Sequence, residues 1–367
     1  MIAKHLKLTQ FRNYDFETIT FHPRVNAFTG LNGMGKTNIL DALYYLCLGK
    51  SYFSSLDKNV IMQEKDFFRL EGHFVKDDDN PSIVVKNKAG QRKEIEISGK
   101  KVDTIADHVG QFLCVIIAPD DVQLILEGSE ARRNLLNNTI VQSDKSYLND
   151  LLLYNGLLKR RNALLKSFTD QKIWDELLIE SVTAPMFGPA QKIYEARKKM
   201  VNQLQPIFAE IYAEVSGSQE QCSITYQSQI ADQNLEYLMY QNLPKDKILG
   251  RTSAGIHKDD LVFVMNGQPL RAYASQGQLK SFVLALKIAQ YKMLEINTQE
   301  KPILLLDDIF DKLDPNRVSQ LLKLLVDKEF GQIFITDTDE VRTRQVLDLS
   351  GSDYSIFGVE QGQVSHL

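Results

Sequence analysis

Cysteine is scarce in this 367-residue chain. The three present, Cys47, Cys114 and Cys222, show no CxxC spacing and cannot all pair, which excludes a disulfide framework and a cysteine zinc site and fits a reducing compartment. As small hydrophobes they need no further role. Long unbroken apolar runs are also missing. The opening MIAKHLKLTQF alternates apolar and polar residues like a strand, so neither a signal peptide nor a membrane span is expected, and the cytoplasm is the expected location. Positive charge is not in excess either: a net charge of −4 argues against coating nucleic acid by bulk electrostatics and leaves only local patches. Candidates are Arg132 with Arg133, KRR at 159–161 and RKK at 197–199. Each of these, taken alone, is first a solvated helix face. Internal repeats, low-complexity segments, flexible linkers and sustained heptads are absent as well, which excludes a repeat array and a long coiled coil.

What is present fits a soluble globular protein, with 43% hydrophobic and 25% charged residues and enough length for two or three lobes. Residues 24–29 form a short apolar strand, followed by a glycine-rich loop and a helix carrying Ile39, Ala42, Leu43 and Leu46 at helical spacing. From Phe67 to about Pro119 the pattern alternates, with a hairpin around Ala89 and Gly90, and implies an antiparallel sheet. From Asp121 to about Leu243 it turns helical: Tyr147, Leu151, Tyr154 and Leu158 share a face, as do Met200, Leu204, Phe208, Ile211 and Val215. Pro206 is expected to kink that second helix or end it early. Helices of this length make an arm of roughly 30–40 Å. Beyond residue 250 the α/β pattern returns, with a hairpin turning at Asn266 and Gly267, a helix from about Gln276 to Ile296, and buried strands in ILLLDD at 303–308 and QIFIT at 332–336. The expected organisation is an α/β domain split by a helical insertion, with parts at 1–120, 121–245 and 246–367.

Gly30, Leu31, Asn32, Gly33, Met34, Gly35, Lys36 and Thr37 satisfy GxxxxGK[ST]. The glycines let backbone N–H groups converge on phosphate oxygens, Lys36 is expected at the β and γ phosphates, and the Thr37 hydroxyl on Mg²⁺. Asp307 and Asp308 close an apolar strand, where two unpaired carboxylates would cost several kcal/mol. Asp307 is therefore the expected outer-sphere holder of Mg²⁺, and Asp308 is placed to orient or deprotonate an attacking water. The cofactors implied are ATP and Mg²⁺. Ser275 and Gly277, in SQGQ at a helix start, offer a hydroxyl, N–H groups and the positive end of a helix dipole. In isolation this is a capping box. Beside a loop that already cradles a nucleotide, it is a second anion seat that another copy's γ-phosphate would fill.

Four stretches resemble the RecF family of bacterial recombination and gap-repair ATPases, which is related to the SMC proteins and ABC ATPases. They are LTQFRNY (8–14), GLNGMGKTNILDALYYL (30–46), APDDVQLILEGSEARRNLL (118–136), and the block from GIHKDDL through ASQGQLKSFVLALKIA to PILLLDDIFDKLD (255–314). The resemblance implies an ABC-type P-loop head with an antiparallel β-rich lobe and an inserted α-helical arm. It makes Gly30–Thr37 the Walker A loop with Asn38 beside it, places Arg12 and Asn13 near the nucleotide, makes Asp307 and Asp308 Walker B, Ser275, Gln276, Gly277 and Gln278 the signature, and Phe310–Asp314 the D-loop. It further implies a head-to-tail homodimer formed on ATP and clamped on double-stranded or gapped DNA, RecR as partner, and recombinase loading as the outcome.

The chain departs from the ABC pattern in several places. After QIFIT come Asp337, Thr338 and Asp339, with no switch histidine; Pro119, Asp120 and Asp121 stand where a Q-loop glutamine is sought; and Asp308 replaces a longer Glu. Together they imply a weak, slow ATPase used as a timer. The family's GPHRDD is Gly255–Asp260 here, with His257 expected to be structural, and Phe53 stands where an Arg is usual. The alternative of an SMC-like DNA tether needs hundreds of residues of heptads, and a transporter motor would not carry FRNY.

Overall fold

The computed structural model describes residues 1–77, 79–217, 220–309, 330–351 and 353–367. The expected D-loop, Phe310–Asp314, lies outside them. The described chain divides into two compact units, one of residues 1–122, 210–219 and 275–367, the other of residues 123–209 and 220–274.

In the first unit, strands β1 (Ile2–Phe11), β2 (Tyr14–Thr20), β4 (Phe67–Val75), β5 (Ser82–Lys88), β6 (Glu94–Ile97) and β7 (Lys100–Lys101) build a six-stranded sheet in the order β2-β1-β4-β5-β6-β7. Every pairing in it is antiparallel. A second sheet is ordered β15-β14-β3-β13-β12-β8, from β3 (Val25–Thr29), β8 (Cys114–Ile117), β12 (Ile303–Leu306), β13 (Ile333–Asp337), β14 (Tyr354–Glu360) and β15 (Gln363–His366). Its five strands from β14 to β8 are parallel, and β15 joins antiparallel at the edge. Strands buried on both faces carry continuous apolar runs rather than alternation, which is why Ile303–Leu306 reads as an unbroken block and is fully buried. Helix α1 (Lys36–Leu48) packs against β1, β4 and β5 and also against β8 and β13. It is buried nearly all round, as a helix between two sheets must be.

The second unit holds helices α2 (Ser129–Ser143), α3 (Lys145–Gln171), α4 (Glu176–Thr183), most of α5 (Phe187–Ser216) and α6 (Leu235–Leu249). It also holds a three-stranded sheet β11-β10-β9, made of β9 (Cys222–Gln227), β10 (Asp260–Met265) and β11 (Gln268–Pro269). Two expectations change here. The helical block contains β9, and because β9 pairs along all of β10, residues 246–274 fall with the helical unit rather than with the segment that follows. Of the two outcomes expected at Pro206, a kink or an early end, only the early end is ruled out: α5 continues to Ser216. The lost N–H and ring clash cost about 3 kcal/mol, while Leu204, Phe208, Ile211 and Val215 on the same helix are each at most 2% exposed, and their burial outweighs that cost. The expected turn at Asn266 and Gly267 is present, both residues at positive φ as a two-residue hairpin requires. Back in the first unit, α7 (Gln276–Thr298) and α8 (Glu340–Ser350) complete the helices the site needs.

Each basic run has at least one arginine tied down rather than free on the surface. Arg161 pairs with Asp246 at 2.8 Å, Arg197 with Asp259 at 2.8 Å, and both guanidinium groups are at most 3% exposed. Arg132 forks onto Asp260 at 2.6 and 3.0 Å, and Arg133 donates to the Asp259 carbonyl at 2.8 Å. Lys159, Arg160, Lys198 and Lys199 remain exposed.

Candidate active site

Between β3 and α1 the chain turns through Gly30–Gly35, and at Gly30 and Gly35 the surroundings leave no room for a side chain. Gly30 has φ +148°, and a Cβ there would lie 2.3 Å from the Val359 carbonyl oxygen of β14. Gly35 has φ +116° and would meet the side chains of Asn13 at 2.5 Å and Tyr14 at 2.8 Å. Helix α1 begins without a side-chain cap and without an acid in its first turn. Its leading N–H groups and dipole are therefore offered to an anion. Lys36, 6% exposed, folds its ammonium back onto the carbonyls of Gly30 at 2.6 Å and Leu31 at 3.0 Å and lines the cavity beside the loop.

The FRNY stretch braces this loop. Asn13 Nδ2 donates to the Met34 carbonyl at 2.9 Å, Asn13 Oδ1 accepts from Asn38 Nδ2 at 2.7 Å, and the Tyr14 hydroxyl donates to the Gly35 carbonyl at 3.0 Å. Gly362, in the β14–β15 turn, donates to the same Met34 carbonyl at 3.2 Å. Arg12 faces another partner: its guanidinium binds the fully buried Asp41 of α1 at 2.7 Å and the Ser51 hydroxyl at 3.2 Å. Arg12 therefore anchors the helix behind the loop, and Asn13 holds the loop itself.

Across the cavity, Asp307 Oδ1 accepts the Thr37 hydroxyl at 2.8 Å and the Thr336 hydroxyl at 2.8 Å. Burial, and then the neighbouring Asp308 charge, push the Asp307 carboxyl up, against the two hydroxyl bonds and Lys36. Asp308 sits at φ +46°, a left-handed backbone rare for a residue with a Cβ. Its N–H donates to Thr336 Oγ1 at 2.9 Å. Asn32, Gly33, Gly35–Asn38, Pro119, Asp307, Asp308 and Thr336 enclose about 190 Å³, less than the ~300–1,000 Å³ of a complete small-molecule site. The hydroxyl and carboxylate donor set fits Mg²⁺, which takes one or two protein oxygens and keeps waters and phosphate oxygens for the rest.

Ser275–Gln278 is not in that lining. Ser275 caps α7: its hydroxyl accepts from Gln278 N–H at 3.3 Å, and Gln278 Oε1 accepts from Ser275 N–H at 2.7 Å. At the expected Q-loop position Pro119 lines the cavity, while Asp121 is buried and bound to the Tyr52 hydroxyl, to Lys287 of α7 at 3.3 Å and to the Ala118 N–H at 2.7 Å. His257 lies in the other unit, hydrogen-bonded to Tyr154 at 2.9 Å; burial lowers it to about 4 and keeps it neutral. Sequence reasoning missed Thr336, Tyr14 and the Tyr52–Asp121–Lys287 cluster. Thr336 had one faint signal, a hydroxyl closing an apolar strand beside the acids.

The family model for the RecF/RecN/SMC N-terminal domain matches residues 2–361. The DNA replication and repair protein RecF of Flavobacterium johnsoniae is 39% identical over 98% of this chain and 100% of its own length. The chain belongs to the RecF family. RecF of Parabacteroides distasonis is 40% identical over 99% of both chains. The solved structure of the recombination mediator protein RecF with ATP, of the RecFOR pathway, superposes with a TM-score of 0.90 at 30% identity, covering 100% of this chain and 97% of that one. An Smc head domain shares the fold at TM-score 0.59 and 17% identity, over 100% of this chain and 98% of that one. The mixed α/β head with its antiparallel sheet and helical segments is thus that of RecF and the SMC-type ABC ATPases. Among the described residues no helix is long and apolar enough to cross a membrane.

Proposed function

We propose that this RecF-family chain is a cytoplasmic, ATP-gated DNA clamp of recombinational repair. The observation that supports this reading is a small cavity walled by the phosphate loop, the Thr37–Asp307 contact and Asp308, whose lining does not include Ser275–Gln278. ATP is held with its phosphates on the Gly30–Thr37 N–H groups and Lys36. Mg²⁺, when bound, would neutralise phosphate charge, and Thr37 through its hydroxyl and Asp307 through its carboxylate are the residues that would hold it, while Asp308 would orient the attacking water. Asp308 has a shorter reach than Glu, and the loop directly after β13 holds no histidine, so hydrolysis is slow and times release of the clamp.

A second copy completes the site head-to-tail with its own Ser275–Gln278, exchanging the intrahelical cap for the γ-phosphate. Because that ligand stabilises only the joined state, ATP converts monomer to dimer. Double-stranded or gapped DNA is the substrate clamped, and RecR is the partner with which recombinase is loaded. The tethering alternative fits less well, since the longest described helix has 30 residues.

Sedimentation with ATP and Mg²⁺ tests this. The wild-type chain dimerises and then retains a gapped duplex, whereas Ser275→Arg binds ATP as a monomer and never dimerises. An equally stable dimer in the variant removes the shared site.

A further inference from the structure

Thr336 is fully buried near the end of β13, and its hydroxyl touches the carboxylate of Asp307 and the backbone N–H of Asp308. A hydroxyl has one proton to give. Here the Asp308 N–H is directed at Thr336 Oγ1, so the oxygen is an acceptor on that side, and its own proton goes to Asp307 Oδ1, 2.8 Å away. The Thr37 hydroxyl delivers its proton to the same Oδ1. With that proton committed, the lone pairs of Thr37 Oγ1 are turned away from Asp307 and toward the cavity, the orientation a metal ligand needs. One side chain thus bonds both the Asp307 carboxylate and the left-handed backbone at Asp308. The support is itself fixed: the next residue, Asp337, is 1% exposed and bound by Arg342 and by the Thr343 hydroxyl at 3.1 Å.

We propose that Thr336 is the positioning residue of the hydrolytic site, setting Asp307 for the metal and Asp308 for the water through one shared hydroxyl. This rests on the ATPase reading above and deepens it. The partner groups around metal ligands change metal affinity or activity by about 10–100-fold when removed, and a hydroxyl shared by the Asp307 carboxylate and the Asp308 backbone N–H belongs in that class.

The test uses the full chain with Thr336→Val, which keeps the shape and removes the hydroxyl, and Thr336→Ser, which keeps it. ATP affinity is titrated with and without Mg²⁺, and single-turnover hydrolysis is followed. In T336V, ATP binding without Mg²⁺ stays within about threefold of wild type, the tightening caused by Mg²⁺ drops about tenfold, and the hydrolysis rate drops about 10–100-fold. T336S restores both. Should T336V be recovered unfolded, Thr336→Ala removes the hydroxyl without a methyl against the acids and carries the same expectations. The proposal is overturned if the hydroxyl-free variant keeps the Mg²⁺ effect and the rate, or if T336S is as impaired as T336V, which would make the role one of packing. A wild-type chain that binds no ATP refutes the functional reading instead, and the two failures are told apart by that control.

Discussion

Two glycines of the phosphate loop separate what a conformation demands from what a neighbour demands. Gly33 has φ +82° with nothing within 4 Å of an added Cβ, whereas Gly35 combines φ +116° with Asn13 and Tyr14 at 2.5–2.8 Å. Gly33→Ala is expected to lose about 1–3 kcal/mol from backbone strain alone. Gly35→Ala adds a clash with the two side chains that brace the loop, and should lower the thermal midpoint well beyond the Gly33 variant and abolish ATP binding. Equal midpoints would show that the FRNY brace yields easily. At this scale the sequence was most legible where chemistry is local: eight consecutive residues spell the phosphate loop, and two acids after four aliphatics mark the other wall. It was least legible where a side chain works from far along the chain. Nothing near Asn13 announces that it grips Met34, and the resemblance that sent Arg12 toward the nucleotide did not foresee its pairing with Asp41. Thr336 falls in the same class, since hydroxyls end many strands.

At the scale of elements, α7 is tied to the loop after β8 by Lys287 and Asp121, whose side chains are 4% and 3% exposed. Tyr52 joins them, and Ser51 beside it binds the Asp41 that holds Arg12. Burial with Asp121 and its bond to that carboxylate push the Tyr52 hydroxyl well above its ordinary range, so it stays a donor. Removing one partner of a buried pair strands the other charge at a cost of about 3–5 kcal/mol, while replacing both by apolar groups costs far less. Asp121→Leu and Lys287→Met should each destabilise by about that amount, and the double variant by less than either alone. Additive losses in denaturant titrations would mean the ammonium and the carboxylate act independently. No local pattern announces this pair, because 166 residues separate its members. Strand β9 was hidden for a related reason: CSITYQ is short and lies between helical stretches, and it becomes a strand only because β10 is there to pair with it. The basic runs misled in the opposite direction, since a run of like charge says nothing about which member turns inward, and Arg161 and Arg197 do.

For the whole molecule, each unit encloses one histidine kept neutral by burial. His108 is fully buried in the first unit and His257 partly so in the second, and both are lowered to about 4. Unfolding returns them to an ordinary value near 6.5. Between those values the unfolded chain binds more protons than the folded one, so stability is fully present above about 6.5 and is lost as pH falls toward 4. For His108 the loss approaches roughly 3 kcal/mol by the bottom of that window. Buried carboxyls whose values are raised, Asp259 among them, act with the opposite sign: they hold protons more tightly when folded and partly offset the loss just above the ordinary carboxylate range. The thermal midpoint should therefore fall steadily from pH 6.5 to 5, before most carboxylates titrate. His108→Phe keeps an aromatic ring beside Phe112, whose own ring lies 6.3 Å from the imidazole, and removes that titration. The variant should show a shallower fall over the same interval while His257 continues to contribute. A variant whose midpoint tracks the wild type across pH 6.5 to 5 would mean that His108 is already solvated or protonated in the folded chain.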